Sequence, residues 1–367
     1  VSRTALVPAR HQRVIVALSG GVDSAVAALL LCEQGCEVHG LFMSNWDEGD
    51  AYCTSARDYQ DARAVARELG IVLHRVSFAA EYREQVFRAF LAELTAGRTP
   101  NPDVACNREI KFGVCRDYAR RLGGAWLATG HYARLAMDAD GPALLQARDA
   151  GKDQTYFLHS VAREHFAGVL FPLGDLAKAE VRERARRAGL PVHDKPDSTG
   201  ICFVGERPFA EFLRQHLPEE PGPIETPAGE RIGTHRGLAF YTLGQRTGLA
   251  IGGRASAAEE PWYVARKLRE RNALIVVQRH EETAALATAA LRTGPMNWLI
   301  GSPPARARVE ARVRHRQPPQ AATLEQLPDG TIRAAFDEAQ RAVASGQYAV
   351  FYQGERCLGG AVIEETL

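Results

Sequence analysis

No apolar run in this 367-residue chain approaches the ~20 residues that a bilayer-spanning helix needs. Val1–Arg13 carries no apolar stretch of the secretory kind, so the expectation is a cytoplasmic protein. An excess of one charge is also missing. Lys and Arg total 45 against 44 Asp and Glu, so no chain-wide basic field exists, and any nucleic-acid binding must come from local patches. The seven cysteines, Cys32, Cys36, Cys53, Cys106, Cys115, Cys202 and Cys357, include no Cys-x-x-Cys pair, and no histidine pair completes a zinc pattern. Their odd number fits a reduced protein with one or two reactive thiols better than a disulfide scaffold. There is no internal repeat and no low-complexity segment.

What is present begins at Val14-Ile15-Val16-Ala17-Leu18-Ser19-Gly20-Gly21-Val22-Asp23-Ser24. An apolar strand runs into a small, hydroxyl-rich loop, and an Ala/Leu-rich helix follows at once. The glycines allow a tight turn and close backbone approach, and the helix start offers unpaired N–H groups to an anion. No Gly-Lys-Ser/Thr closes the loop and no Gly-x-Gly-x-x-Gly occurs in it, which excludes the Walker and dinucleotide fingerprints. Ser-Gly-Gly-x-Asp-Ser instead resembles the loop of ATP pyrophosphatases, which split ATP between the α and β phosphates. An ordinary N-cap at Asp23 or Ser24 would explain one residue of the motif, not six in order.

The first half alternates strands and helices. Strands are expected at Val14–Leu18, Glu37–Met43, Ile71–Phe78 and Trp126–Thr129, and helices at Ala25–Gln34, Ser55–Leu69, Glu81–Thr95 and Lys111–Leu122. This pattern predicts a parallel sheet covered on both faces, with ligands beyond the strands' carboxyl ends. Ser19–Ser24, Met43-Ser44-Asn45 and Gly130-His131-Tyr132 should therefore share one crevice. The alternation fades after about Gly205. Short β segments follow from Gly229 to Val277, then a connector at Glu281–Leu291, then β structure from Met296 onward with a turn at Pro328–Gly330.

Two cysteines stand out. Cys106 follows Pro100-Asn101-Pro102-Asp103, where two prolines predict an extended loop. Cys202 ends Asp197-Ser198-Thr199-Gly200-Ile201-Cys202. A thiol attacks only as thiolate, so each would need a cation, a base or a helix start nearby. The competing reading of any cysteine is a small buried hydrophobe, and this is the expectation for Cys32, Cys115 and Cys357. Gly151-Lys152-Asp153-Gln154-Thr155 is either a helix start or a phosphate-contacting cluster. Arg306, Arg308, Glu310, Arg312, Arg314 and Arg316 recur at period two, which predicts a strand with one arginine-rich face, serving RNA phosphate or simply facing solvent.

These motifs together resemble the bacterial tRNA-specific 2-thiouridylases, the tRNA-uridine 2-sulfurtransferases of the MnmA/TrmU type. The resemblance continues in order through Ala128-Thr129-Gly130-His131-Tyr132-Ala133, Phe171-Pro172-Leu173-Gly174 and Tyr241-Thr242-Leu243-Gly244-Gln245-Arg246. It implies a Rossmann-like α/β sheet of the adenine nucleotide alpha-hydrolase (PP-loop ATP pyrophosphatase) type at 1–207, a small β-rich middle domain at 208–280 and a C-terminal β-barrel at 281–367 that binds tRNA. It implies that Ala17, Leu18, Ser19, Gly20, Gly21, Val22, Asp23, Ser24, Met43 and Gly130 hold ATP with magnesium, and that no permanent cofactor is needed. Asn101, Pro102 and Asp103 would contact the target base, with Asp103 the candidate acid/base. Cys202 would carry a persulfide and Cys106 would be its partner nucleophile, the two joining in a transient disulfide. Lys152, Asp153, Gln154, Arg314 and His315 would touch tRNA, although the family often has Tyr where His315 stands. The implied partners are the tRNAs for Lys, Glu and Gln and a persulfide sulfur donor or relay protein, with no membrane. The implied reaction adenylates the C2 oxygen of the wobble uridine and replaces it with sulfur. Two rivals remain at this point: an ATP pyrophosphatase that activates a carbonyl for nitrogen without a thiol pair, and a non-catalytic tRNA-binding or redox-sensing protein.

Overall fold

A computed structural model describes residues 4–46, 55–139, 141–197, 203–204, 207–252 and 260–367. Val14, Ile15, Val16 and Ala17 are all buried, as a strand covered on both faces must be. Their strand, Arg13–Ala17, is the middle of five parallel strands in the order Val72–Ser77, Glu37–Ser44, Arg13–Ala17, Trp126–Ala128, Val169–Leu170. The helices Val22–Glu33 and Ser55–Glu68 lie within two residues or so of their expected bounds at all but the first N-terminus. That helix begins three residues early, directly after the extended Gly21 and with no side-chain cap.

The segment before Cys106 differs from expectation. It is helical, not extended. Asn101 is an N-cap whose side chain accepts from the Asp103 N–H at 3.2 Å, and Pro102 occupies the first turn, where its missing N–H costs nothing. The helix Pro102–Ala105 continues into π winding over Cys106–Val114, breaks at Gly113 and resumes as α-helix over Cys115–Arg121. The expected helix at Glu81–Thr95 likewise contains a π-wound stretch, Arg83–Phe87.

The middle sheet has the order Arg231–His235, Gly222–Glu225, Ala273–Gln278, Trp262–Leu268. The connector is a helix, Arg279–Ala285. Beyond it, six antiparallel strands close a ring: Ala287–Pro295, Thr331–Arg341, Gln320–Gln326, Arg306–Arg312, Tyr348–Gln353 and Arg356–Thr366, which returns to the first. A hairpin from the first half, Arg134–Asp138 with Gly141–Leu145, joins this same sheet where Leu145 registers with Arg356. Asp138 pairs there with Arg356 at 2.7 Å.

The arginine strand also departs from expectation. It ends at Arg312, so Arg314 and Arg316 lie beyond it. Arg308 is held by both oxygens of Asp337. Arg312 points inward and pairs with Asp153 at 2.9 Å, its side chain 7% exposed and that of Asp153 1%. Two of the five arginines are thus neutralised within the protein. Cys115 and Cys357 are wholly buried, and burial pushes both thiols up to about 12, which leaves them inert hydrophobes. Cys53 lies outside the described residues.

The Asp153–Arg312 pair joins the α/β half to the barrel. Removing one partner strands a buried charge, so Asp153→Ala should lower stability by about 3–5 kcal/mol. An Asp153→Leu/Arg312→Met double variant should lose less. Urea midpoints measure both, and equal loss in the two variants would contradict this role.

Candidate active site

The loop after Arg13–Ala17 is shaped by its own hydroxyls. Ser24 Oγ donates to the Gly21 carbonyl at 3.1 Å and accepts from the Ser19 N–H at 3.1 Å. Gly20 has φ +78°, and a Cβ there would lie 2.2 Å from the Asp58 carbonyl oxygen, so only glycine fits. At Gly21 the nearest atom to an added Cβ is Ser19 Oγ at 3.5 Å, so this backbone face is open. No side chain caps the helix that follows. An open glycine face at an uncapped helix start fits a phosphate chain. The far wall is Gly130, where a Cβ would sit 2.7 Å from the Ser24 nitrogen. Tyr132 donates its hydroxyl to Asp23 at 2.8 Å. The loop and the Gly130-His131-Tyr132 segment do meet.

A chain of alternating charges runs from this loop. Lys178 donates to both oxygens of Asp23, at 2.7 and 2.8 Å, and reaches Asp197 at 2.8 Å. Lys152 and Arg182 also hold Asp197, each at 2.8 Å. Burial alone would raise the Asp197 pKa, but the hydrogen bonds and charges of Lys152 and Lys178 hold it down at about 2. On the other side of the loop, Lys195 donates to the Gly20 carbonyl at 3.1 Å and to Asp58 at 2.8 Å, with Asp61 as third partner. Lys178, Arg182 and Lys195 were not read from the sequence. Lys178 starts an otherwise unremarkable charged helix, Lys178–Arg187, and only its position against Asp23 gives it meaning.

The residues expected at the target base share one helix. Asp103 keeps a partial opening to solvent, but protein atoms crowd its carboxyl. Burial therefore raises its pKa, against the opposing charges of Lys111 and His315. Cys106 is buried three residues on. Asn107 donates to the Phe157 carbonyl at 3.1 Å. Cys202 and Ser198–Ile201 lie outside the described residues. Their described flanks are Asp197, held as above, and Phe203, buried in the same apolar cluster as Cys106 with its ring 5.1 Å from Phe87.

The expected RNA contacts are brought together, though not all at the surface. Lys152 pairs with Asp197 at 2.8 Å while its side chain stays 41% exposed. Asp153 accepts from the Ala147 N–H, Thr155 and Arg312, and Gln154 accepts from the Tyr132 N–H at 2.9 Å. The side chains of Asp153 and Gln154 are thus spent on internal partners. His315 donates to the Asp153 carbonyl at 2.9 Å and lies 4.4 Å from the Phe157 ring. Arg314 donates to the Ala342 carbonyl at 2.6 Å and is otherwise exposed.

Three family models match the chain: a tRNA methyl transferase HUP domain over residues 12–206, a tRNA methyl transferase PRC-barrel domain over 210–278 and an aminomethyltransferase beta-barrel domain over 288–363. Curated relatives named tRNA-specific 2-thiouridylase MnmA align along almost all of it. The protein from Marinobacter nauticus is 54% identical, covering 97% of this chain and 92% of that one. The protein from Chromohalobacter salexigens is 55% identical, over 96% and 93% of the two chains. That from Pseudomonas fluorescens is 54% identical, over 97% and 95%.

The depressed pKa of Asp197 sets an acid dependence. Its contribution to stability is complete above the ordinary carboxylate value of about 3.9 and is lost as pH falls toward about 2. The stability difference between wild type and Asp197→Asn, followed by urea denaturation, should shrink across that window. A difference that stays constant with pH would contradict the charge chain.

Proposed function

The chain belongs to the tRNA-specific 2-thiouridylase MnmA family, and from that premise we propose that it thiolates the wobble uridine of tRNA in two chemical steps, O2 adenylation and then sulfur transfer. The C2 oxygen of uracil is a very poor leaving group. As O2 attacks the α phosphorus of ATP, pyrophosphate departs and the N3 proton passes to Asp103. The oxygen then leaves as part of AMP.

Ser19–Ser24 receives the triphosphate with its open Gly21 face and uncapped helix start, and Lys178, beside Asp23, answers the charge of the departing pyrophosphate. Ala17, Leu18, Met43 and Gly130 are proposed to hold the rest of the nucleotide. Magnesium would accompany the nucleotide and help neutralise its phosphate charge. Asn101 and Pro102 fix the first turn that presents Asp103 to the base. The base must leave its stack to reach this helix.

In the sulfur step, the terminal sulfur of a Cys202 persulfide attacks C2 and expels AMP, and Cys106 attacks the Cys202 sulfur to release the thiolated base. In the alternative order, Cys106 attacks first and frees hydrosulfide, which then attacks C2. Either order leaves one Cys106–Cys202 disulfide, which an external dithiol reopens. The observation that carries this reading is the shared apolar cluster of Cys106 and Phe203, the residue after Cys202.

For tRNA, Lys152 and Arg314 are the side chains proposed to meet phosphate, with His315 beside them. Asp153 and Gln154 act by setting the backbone of that segment. Cytoplasmic tRNA and a persulfide donor are the proposed partners, the tRNAs for Lys, Glu and Gln the proposed substrates. Among the described residues no helix is long and apolar enough to cross a membrane.

Single-turnover assays with ATP, tRNA and a persulfide donor test the reading. Cys106→Ser and Cys202→Ser should each abolish 2-thiouridine, by nucleoside mass spectrometry, while pyrophosphate release persists. Thiolation that survives in both variants would sink the thiol-pair chemistry and favour thiol-free carbonyl activation.

A further inference from the structure

The chain contains only five lysines: Lys111, Lys152, Lys178, Lys195 and Lys267. In a protein this rich in arginine, each lysine marks a place where a compact point charge is used instead of a planar fork. Lys152, Lys178 and Lys195 are paired around the nucleotide loop, and Lys267 donates to the Gly97 carbonyl. Among the described residues, Lys111 alone of the five has neither an ion-pair nor a hydrogen-bond partner.

Its position explains why that charge matters. Lys111 lies on the π-wound part of the helix that begins with Asn101-Pro102-Asp103. Three steps of α winding from Asp103 and five of π winding amount to about two full turns, so Asp103 and Lys111 share a face. Uninterrupted α winding would turn Lys111 away by roughly 80°. The next residue, Phe112, packs against His131, ring centroids 5.8 Å apart, and His131 follows the Gly130 that abuts Ser24. Lys111 therefore stands on the base-contacting helix itself, one residue before that helix meets the wall of the nucleotide loop. Its charge reaches Asp103, His131 and Cys115. His131 is buried, and burial, then Lys111, keep its pKa well below the usual histidine value, so it is neutral. Cys115 is protonated. Asp103 is the one group of the three that can carry a negative charge.

We propose that Lys111 is a positioning residue whose unpaired ammonium keeps the crowded Asp103 carboxyl in its anionic, proton-accepting form. This rests on Asp103 serving as the base in the thiolation above. Burial opposes the anion. The charges that face it are Lys111 from its own helix and His315 from the barrel, and His315 is itself kept mostly neutral because burial lowers its pKa. Lys111 is left as the main opposing charge.

The test is the pH dependence of single-turnover thiolation in wild type, Lys111→Met, Lys111→Arg and Asp103→Asn, each checked for an unchanged urea midpoint. The acidic limb of the wild-type profile should move up by about one pH unit in Lys111→Met. Rate should be regained at higher pH, and Lys111→Arg should restore the limb toward its wild-type place. A Lys111→Met profile lowered evenly at all pH values, with its limb unmoved, would overturn the proposal. Asp103→Asn separates the two claims. If it keeps the wild-type limb, the base assignment itself has failed. If it loses the limb while Lys111→Met leaves it unmoved, only the role of Lys111 has failed.

Discussion

The left-handed turn at Gly20 is the constraint on which the site depends. It lets the loop after the central strand press against the Asp58 carbonyl, a contact that any side chain at this position would prevent. Lys195 ties the same turn to Asp58 and Asp61, so the helix Ser55–Glu68 and the loop hold each other in place. With the backbone fixed, Gly21 faces open space and Asp23 faces Lys178. The charges then continue through Asp197 to Lys152, beside the segment proposed to meet RNA. Each carboxylate in this chain is answered by at least one ammonium, so a polyanion can dock without leaving a like-charged cluster behind.

The helix carrying Asp103 and Cys106 is gripped from outside the α/β sheet. Just before it, the Thr99 N–H donates to the Ser345 carbonyl, Gln347 donates to the Thr99 carbonyl, and Lys267 of the middle sheet reaches the Gly97 carbonyl. Burial lowers the Lys267 ammonium to about 8, which marks how closely that contact is enclosed. On the opposite side Asn107 bonds to Phe157, whose ring meets His315 beyond the barrel strand Arg306–Arg312. The helix proposed to react is therefore held by the two smaller units as well as by the α/β half, which would give those units a physical part in placing the proposed chemistry.

Elements whose partners are near in sequence were legible. The strand at Val14–Leu18, the helix at Ser55–Leu69 and the turn at Pro328–Gly330 follow from periodicity and turn chemistry, and the meeting of Ser19–Ser24 with Gly130-His131-Tyr132 follows from the parallel order. Long-range pairing decided what was missed. Nothing local announces the hairpin 134–145, whose place is set by Arg356 more than two hundred residues on. The period-two arginines gave a strand as far as Arg312, with Arg314 and Arg316 beyond it, and a pattern cannot show that Arg312 turns inward to Asp153. Two prolines suggested an extended loop before Cys106, where one of them in fact opens a helix. π winding has no sequence signature in this chain, and without it Lys111 stands on the wrong face to be noticed. Lys178 was invisible for a similar reason: its partner Asp23 lies 155 residues away.

The central chemical claim is that the uracil oxygen leaves on phosphorus. Single turnover with tRNA whose wobble uridine carries oxygen-18 at C2 tests this directly. The account predicts that the label is recovered in AMP, one atom for each 2-thiouridine formed. Label found in water or pyrophosphate, with unlabelled AMP, would contradict it.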